Sequence, residues 1–261
     1  MARLQPLEEM KKASHHGLGL ASLLAGLLGW HMAAQFGGLP SFILPSPGQV
    51  WERFLRALQD GSLLFHTSVT LFEILAGLLA GALTATALGY LIAKSRALER
   101  ALAPYLVASQ AVPLVAIAPL LIIWFGPGIF SKVLICALIV FFPVLVNTVV
   151  GVRAVPTALY HLMRSLRATP TQVLWKLEVP ASLPVFLGGL QVGATLSVIG
   201  AVVGELVGAD TGLGFLINVG RGQYDTALVF VAVFTLIALA LALYGLVAWA
   251  GKKLLQWQEN A

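Results

Sequence analysis

A single cysteine, Cys136, in 261 residues excludes an intrachain disulfide and any metal site built from cysteines. Charge is also scarce. Asp, Glu, Lys and Arg make up 10% of the chain, where a soluble domain carries about 25%. With 59% hydrophobic residues and a mean hydropathy of +0.90, the chain is too apolar for disorder and too poor in polar surface for a water-soluble globule. Chemical motifs are missing as well. There is no G-x-x-x-x-G-K-[ST] loop for ATP, no H-E-x-x-H zinc pair, no G-x-S-x-G nucleophile elbow and no paired N-P-A box. Nothing argues for a self-contained enzyme, a bound metal or a resident cofactor.

What is there is a membrane chain, segmented by the gaps between its charges. Residues 13–51, 101–131, 133–152, 179–204 and 226–251 hold no Asp, Glu, Lys or Arg, and Glu73 is the one such residue between Asp60 and Lys94. A span needs about 20 apolar residues. The pattern predicts an all-α membrane protein, a bundle of about six transmembrane helices near 18–36, 63–92, 104–125, 133–151, 185–207 and 227–250. The transmembrane domain runs over 18–251, between tails at 1–17 and 252–261, with a polar inner segment at 152–184. The first run follows Lys11-Lys12 as a signal peptide would, but it is longer than an h-region and lacks an A-x-A site, so it is read as a span. With both termini inside, twelve Lys and Arg fall in cytoplasmic segments. Four (Arg53, Arg56, Lys132 and Arg221) fall outside, as the positive-inside rule favours. The net charge of +5 reads as topology and contact with the lipid bilayer, and no nucleic-acid partner is required.

Two connections carry helix signals. Ser46-Pro47-Gly48-Gln49 is a capping box with proline at the first helical position. Val50, Trp51, Phe54, Leu55 and Leu58 then share a face, which predicts a short amphipathic helix at the outer interface. On the inner side, Pro156 opens a helix over 157–167. Thr169-Pro170-Thr171-Gln172 caps a second one that Pro180 and Pro184 should stop near Val179. This pair projects further than a span-to-span connection needs, so it should touch a cytoplasmic partner.

Ionisable groups inside spans are costly and face a cavity or a partner. Glu73 and Glu205 are the two candidates: Glu73 as a helix-to-helix contact, Glu205 as either structural or lining an outer vestibule. Gln110, Asn147 and Gln191 are neutral polar groups that either glue helices or meet a solute. Pro104, Pro113 and Pro119 crowd the third span and free backbone carbonyls there. The pathway candidates are therefore Gln110, Pro113, Asn147 and Glu205. Gly77/Gly81, Gly189/Gly193 and Gly200/Gly204/Gly208 place small residues four apart for close packing, within a subunit or between two.

The inner segment resembles the cytoplasmic element of bacterial ABC-importer permeases, E-A-A-x3-G-x9-I-x-L-P. Leu177-Glu178-Val179-Pro180 stands at its end, Arg167 at the glycine and His161-Leu162-Met163 at E-A-A. Leu44-Pro45-Ser46-Pro47, Val112-Pro113 to Trp124-Phe125-Gly126, Phe141-Phe142-Pro143 to Asn147-Thr148 and Gly212-Leu213-Gly214-Phe215-Leu216-Ile217 resemble the nitrate/taurine/aliphatic-sulfonate branch.

The resemblance implies an inner-membrane permease of an ATP-driven importer. Its partners would be separate ATPase subunits that bind the ATP, an outer substrate-binding protein, and a second permease copy or paralogue. The solute would be an anion of the nitrate, sulfonate or taurine kind, or a vitamin or pyrimidine precursor. The ATPase-coupling residues would be His161, Arg164, Arg167, Ala168, Thr169, Pro170, Gln172 and Lys176. The sequence departs from the pattern at His161 and Arg167. Either the turn at Arg167 avoids the left-handed region and the side chain reaches an acid on the ATPase, or this chain is one half of a heterodimer whose partner carries the intact element. A secondary transporter or a membrane scaffold are the alternatives, but no inverted second copy of the proline-rich span is present.

Overall fold

The computed structural model describes residues 5–111 and 113–256, with side chains for 21–106, 108, 113 and 115–256. Arg3 and the side chains of Lys11, Lys12 and Gln110 lie outside that set. Along the chain, α1 (Gln5–Phe36), α2 (Pro47–Gln59), α3 (Ser62–Lys94), α4 (Arg96–Ala111), α5 (Leu114–Phe125) and α6 (Ile129–Arg153) come first. Then follow α7 (Thr157–Ser165), α8 (Pro170–Val173), a π turn (Leu174–Glu178), α9 (Val179–Gly208), α10 (Leu213–Gly222) and α11 (Thr226–Leu254). No strand occurs among the described residues.

Four stretches among the described residues are long and apolar enough to cross a bilayer: Ser62–Lys94, Ile129–Arg153, Pro170–Gly208 and Thr226–Leu254. They match four of the six expected spans and overrun them at the ends. The expected third span, 104–125, is not one helix. Pro113 has no N–H and takes an extended φ of −69° with ψ 103°, so the chain leaves α4 and restarts as α5. Twelve residues of α5 reach about 18 Å, short of the ~30 Å hydrocarbon core.

α6 lies between α3 and α9 and forms the centre of the bundle. The glycine pairs decide this. A Cβ on Gly77 would strike the Cβ of Cys136, and one on Gly81 would meet Ala137 O. Gly189 faces Asn147, Gly193 faces Val140 and Val144, Gly200 faces Cys136 and Gly204 faces Lys132. The small-residue stripes of α3 and α9 thus close within one chain, on α6 and, at Gly208, on Ile122 of α5, where the spacing alone left a second subunit open. Ile74, Cys136, Val140, Val144, Ala194 and Ala201 fill the seam without exposure.

The outer helix α2 forms as its capping box requires: Gln49 N–H donates to Ser46 Oγ (3.3 Å) and Ser46 N–H to Gln49 Oε1 (2.9 Å). Val50 and Ala57 are buried, whereas Trp51, Leu55 and Leu58 stay exposed. Arg53 pairs with Asp225 (2.7 Å), the N-cap of α11, and ties α2 to the bundle. Lys132, read from the sequence as an outer charge, is 3% exposed and lies inside the bundle against Glu73.

The inner segment departs from expectation at its second helix. Neither Pro180 nor Pro184 stops it. Val179 N–H reaches back five residues to Leu174 O, which widens the turn ahead of Pro180. The chain then runs on as α9 with Pro180 in its first turn and Pro184 inside. Wider i→i+5 spacing makes room for a ring that would otherwise strike the carbonyl four residues back.

Candidate functional site

Two polar knots stand at opposite ends of the bundle. The inner one is built on the helix pair. α7 ends in a reverse turn in which Arg167 N–H donates to Arg164 O (3.0 Å) and Ala168 N–H to Met163 O (2.9 Å). These are the two bonds of a Schellman motif, whose C′ position is left-handed and favours glycine. Arg167 occupies it at φ 53°. The turn therefore does not avoid the left-handed region, and the first of the two accounts loses its premise. Thr169 then caps α8 with its own box: Gln172 N–H donates to Thr169 Oγ1 (3.4 Å) and Thr169 N–H to Gln172 Oε1 (2.9 Å).

The pair presents His161, Arg164, Arg167, Thr169, Pro170, Gln172 and Lys176 as exposed side chains, with Ala168 half-buried. Leu159, Leu162, Leu166 and Trp175 are exposed between them. Cations and apolar groups on one projecting surface suit a protein partner with acidic and apolar groups. Behind the surface lies a cleft of about 680 Å³, whose walls include Tyr90, Lys94, Tyr160, Arg164 and Glu178.

Glu178 is the residue that reading the sequence missed. It sits in the π turn, 1% exposed. It accepts hydrogen bonds from Tyr90 Oη (2.9 Å) and Tyr160 Oη (3.0 Å) and pairs with Lys94. Lys94 also lies over the rings of Tyr90 (5.6 Å) and Tyr160 (5.5 Å). Burial and the bond to Glu178 push the Tyr160 hydroxyl up to about 12, so it stays a donor. The signal available was an isolated acid at the head of the uncharged run 179–204, with a lysine closing α3.

The outer knot holds the start of α10. Three successive backbone N–H groups, orphaned at a helix N-terminus, each find a side chain. Gly212 N–H donates to His66 Nδ1 (3.0 Å), Leu213 N–H to Thr70 Oγ1 (2.8 Å) and Gly214 N–H to Glu205 Oε2 (2.5 Å). Thr70 Oγ1 donates in turn to Glu205 Oε1 (2.6 Å). Gly212, at φ 109°, lies so close to the Glu205 carboxyl that no Cβ fits. Nearby, Lys132 Nζ stands 3.2 Å from Glu73 Oε1, with neither residue more than 3% exposed.

The expected pathway residues do not form one site. Gln110 lies near the end of α4, its side chain outside the described set, and Pro113 is exposed at the break. Asn147 is half-buried, donates from Nδ2 to Pro143 O (2.8 Å) and packs on Gly189. Glu205 is not a vestibule residue in this structure. It is fully buried and capping α10 satisfies its carboxyl.

A bundle of apolar helices with a capped helix pair at one end has the architecture of a transport permease. It superposes with TM-score 0.60 on the methionine ABC transporter MetNI in an inward-facing conformation. That match covers 73% of this chain and 93% of the other at 19% identity, and so speaks for the fold. Residues 74–256 match the model of the binding-protein-dependent transport system inner membrane component, and the chain belongs to that family. The riboflavin transport system permease protein RibX of Chloroflexus aurantiacus is 44% identical over 262 aligned positions, covering 100% of this chain and 98% of the relative. The formylaminopyrimidine transport permease protein ThiX of Halalkalibacterium halodurans is 36% identical, over 88% and 92%. The taurine transport system permease protein TauC of Escherichia coli is 32% identical, over 87% and 85%. The chain is thus a multi-pass permease subunit of an ABC importer.

Proposed function

We propose that this permease pairs with a second copy or a paralogue and carries a neutral heteroaromatic vitamin of the riboflavin kind. An outer binding protein delivers the solute, and a separate ATPase binds the ATP and docks on residues 157–178. Both termini are cytoplasmic. The observation that carries the docking is the inner pair itself: two capped helices whose cations and leucines are left exposed by the described residues of their own chain.

The solute class rests on a second observation. Among the described residues, the cations of α3, α6, α9 and α11 all stand in a first or last turn (Lys94, Lys132, Arg153, Lys252 and Lys253), and Lys132 is buried against Glu73. An anion such as a sulfonate would meet no free positive charge along the described middle of these helices, and an uncompensated buried charge is costly. The 44% relative named for riboflavin agrees with this choice.

Proteoliposomes carrying the permease, its ATPase and its binding protein test it. ATP-dependent uptake of radiolabelled riboflavin is expected, unaffected by excess taurine. Taurine uptake without riboflavin uptake overturns the solute assignment. Replacing Thr157–Lys176 by a short bridge should abolish co-purification of the ATPase while the bundle stays folded. Retained co-purification overturns the docking surface.

A further inference from the structure

We infer that Glu178 is the positioning residue that joins the docking pair to the inner end of α3, so that movement of the pair is delivered to two spans at once. The inference rests on the docking proposed above. One carboxylate gathers groups from three places in the chain: Tyr160 from α7, Tyr90 and Lys94 from the last turns of α3, and its own position at the foot of α9. The covalent chain alone links the pair to α6 and α9. The knot adds α3, which packs on both α6 and α9.

Three features suit it to transmission. Glu178 lies in a π turn, a local widening often found at functional sites. The turn buries the carboxylate while Trp175 and Lys176 remain exposed. The carboxylate is buried and its donors include an ammonium and two phenols, so the bonds are charge-assisted and support each other. Lys94 also lies over the rings of Tyr90 and Tyr160, which adds a cation–π attraction to the same group. Displacing α7 therefore pulls on Tyr160, Glu178 and the end of α3 together.

The test compares Glu178→Gln, Tyr160→Phe and, as a remote control, Tyr244→Phe, in the assembled transporter. Solute moved per ATP hydrolysed should fall by about 5-fold or more in the first two, the lower edge of typical coupling between sites. ATPase co-purification should remain as in the unaltered chain, and the control should match it too. A residue that only stabilises the fold would lower yield and melting temperature and leave solute per ATP unchanged. That result overturns the inference. Tyr160→Phe removes a single hydroxyl and keeps the ring, so it answers even if Glu178→Gln fails to fold. Loss of co-purification after replacing Thr157–Lys176, with an unchanged ratio in Tyr160→Phe, keeps the docking and rejects this inference. Retained co-purification rejects the docking itself.

Discussion

Single residues carry more of this fold than the low charge content suggests. Arg167 holds a left-handed conformation that costs a non-glycine residue about 1–2 kcal/mol. Arg167→Gly should therefore raise stability by up to ~1 kcal/mol, since glycine returns part of the gain as backbone entropy. Thermal unfolding in detergent measures it, and a fall in melting temperature counts against the strain. Lys132 is the counter-charge of a region with two buried carboxylates, Glu73 and Glu205. Lys132→Met should destabilise by about 3–5 kcal/mol, and Glu73→Leu with Lys132→Met should recover most of that loss. Equal losses in the single and double variants would mean the pair is not the reason. The Tyr160 hydroxyl, raised from 10.0 to about 12, favours the folded state while protonated. Its contribution is complete below pH 10 and is lost as pH rises towards 12. Tyr160→Phe should flatten the stability profile in that window.

At the scale of elements, the bundle is set by how closely three helices approach. Gly77 of α3 and Gly200 of α9 both press on Cys136 of α6. Gly77→Ala should cost about 1–3 kcal/mol through overpacking. Cys136→Ala should not relieve it, because the collision is with Cβ rather than sulfur, whereas Cys136→Gly should relieve part of it, since Val133 O (3.0 Å) and Ala137 N (3.2 Å) still face the added Cβ. Melting temperatures of the four proteins decide this. Proline behaves differently in two elements. Pro113 is itself extended between α4 and α5 and splits a span. Pro180 follows a π turn whose wider spacing admits its ring, and the helix continues.

For the whole molecule, the consequence of charge placement is orientation. With Cys136 replaced by serine, a cysteine introduced at Gln59 should react with an impermeant reagent on intact cells. One at Gln256 should react only after the membrane is opened. The reverse pattern would turn the molecule over and put the docking pair on the wrong side for ATP.

The sequence by itself determined the class of molecule. Long uncharged runs have one stable setting, a bilayer, and helices satisfy their own backbone there. Local signals were equally legible: Ser46 and Thr169 cap the helices their spacing announced, because a cap involves a few consecutive residues. The motif positions of the inner pair were also legible, and so was the family. Tertiary structure alone decided which face each glycine stripe meets, because four-residue spacing is the same for any partner. It alone buried Lys132, which stands at the edge of an apolar run and reads as a loop charge until Glu73, far away in sequence, is placed beside it. It alone turned Glu205 from a pathway candidate into the cap of α10. Glu178, Tyr160, Tyr90 and Lys94 lie in separate segments with no spacing rule to connect them. Their meeting depends on how α3, α7 and α9 pack, which no window of sequence contains.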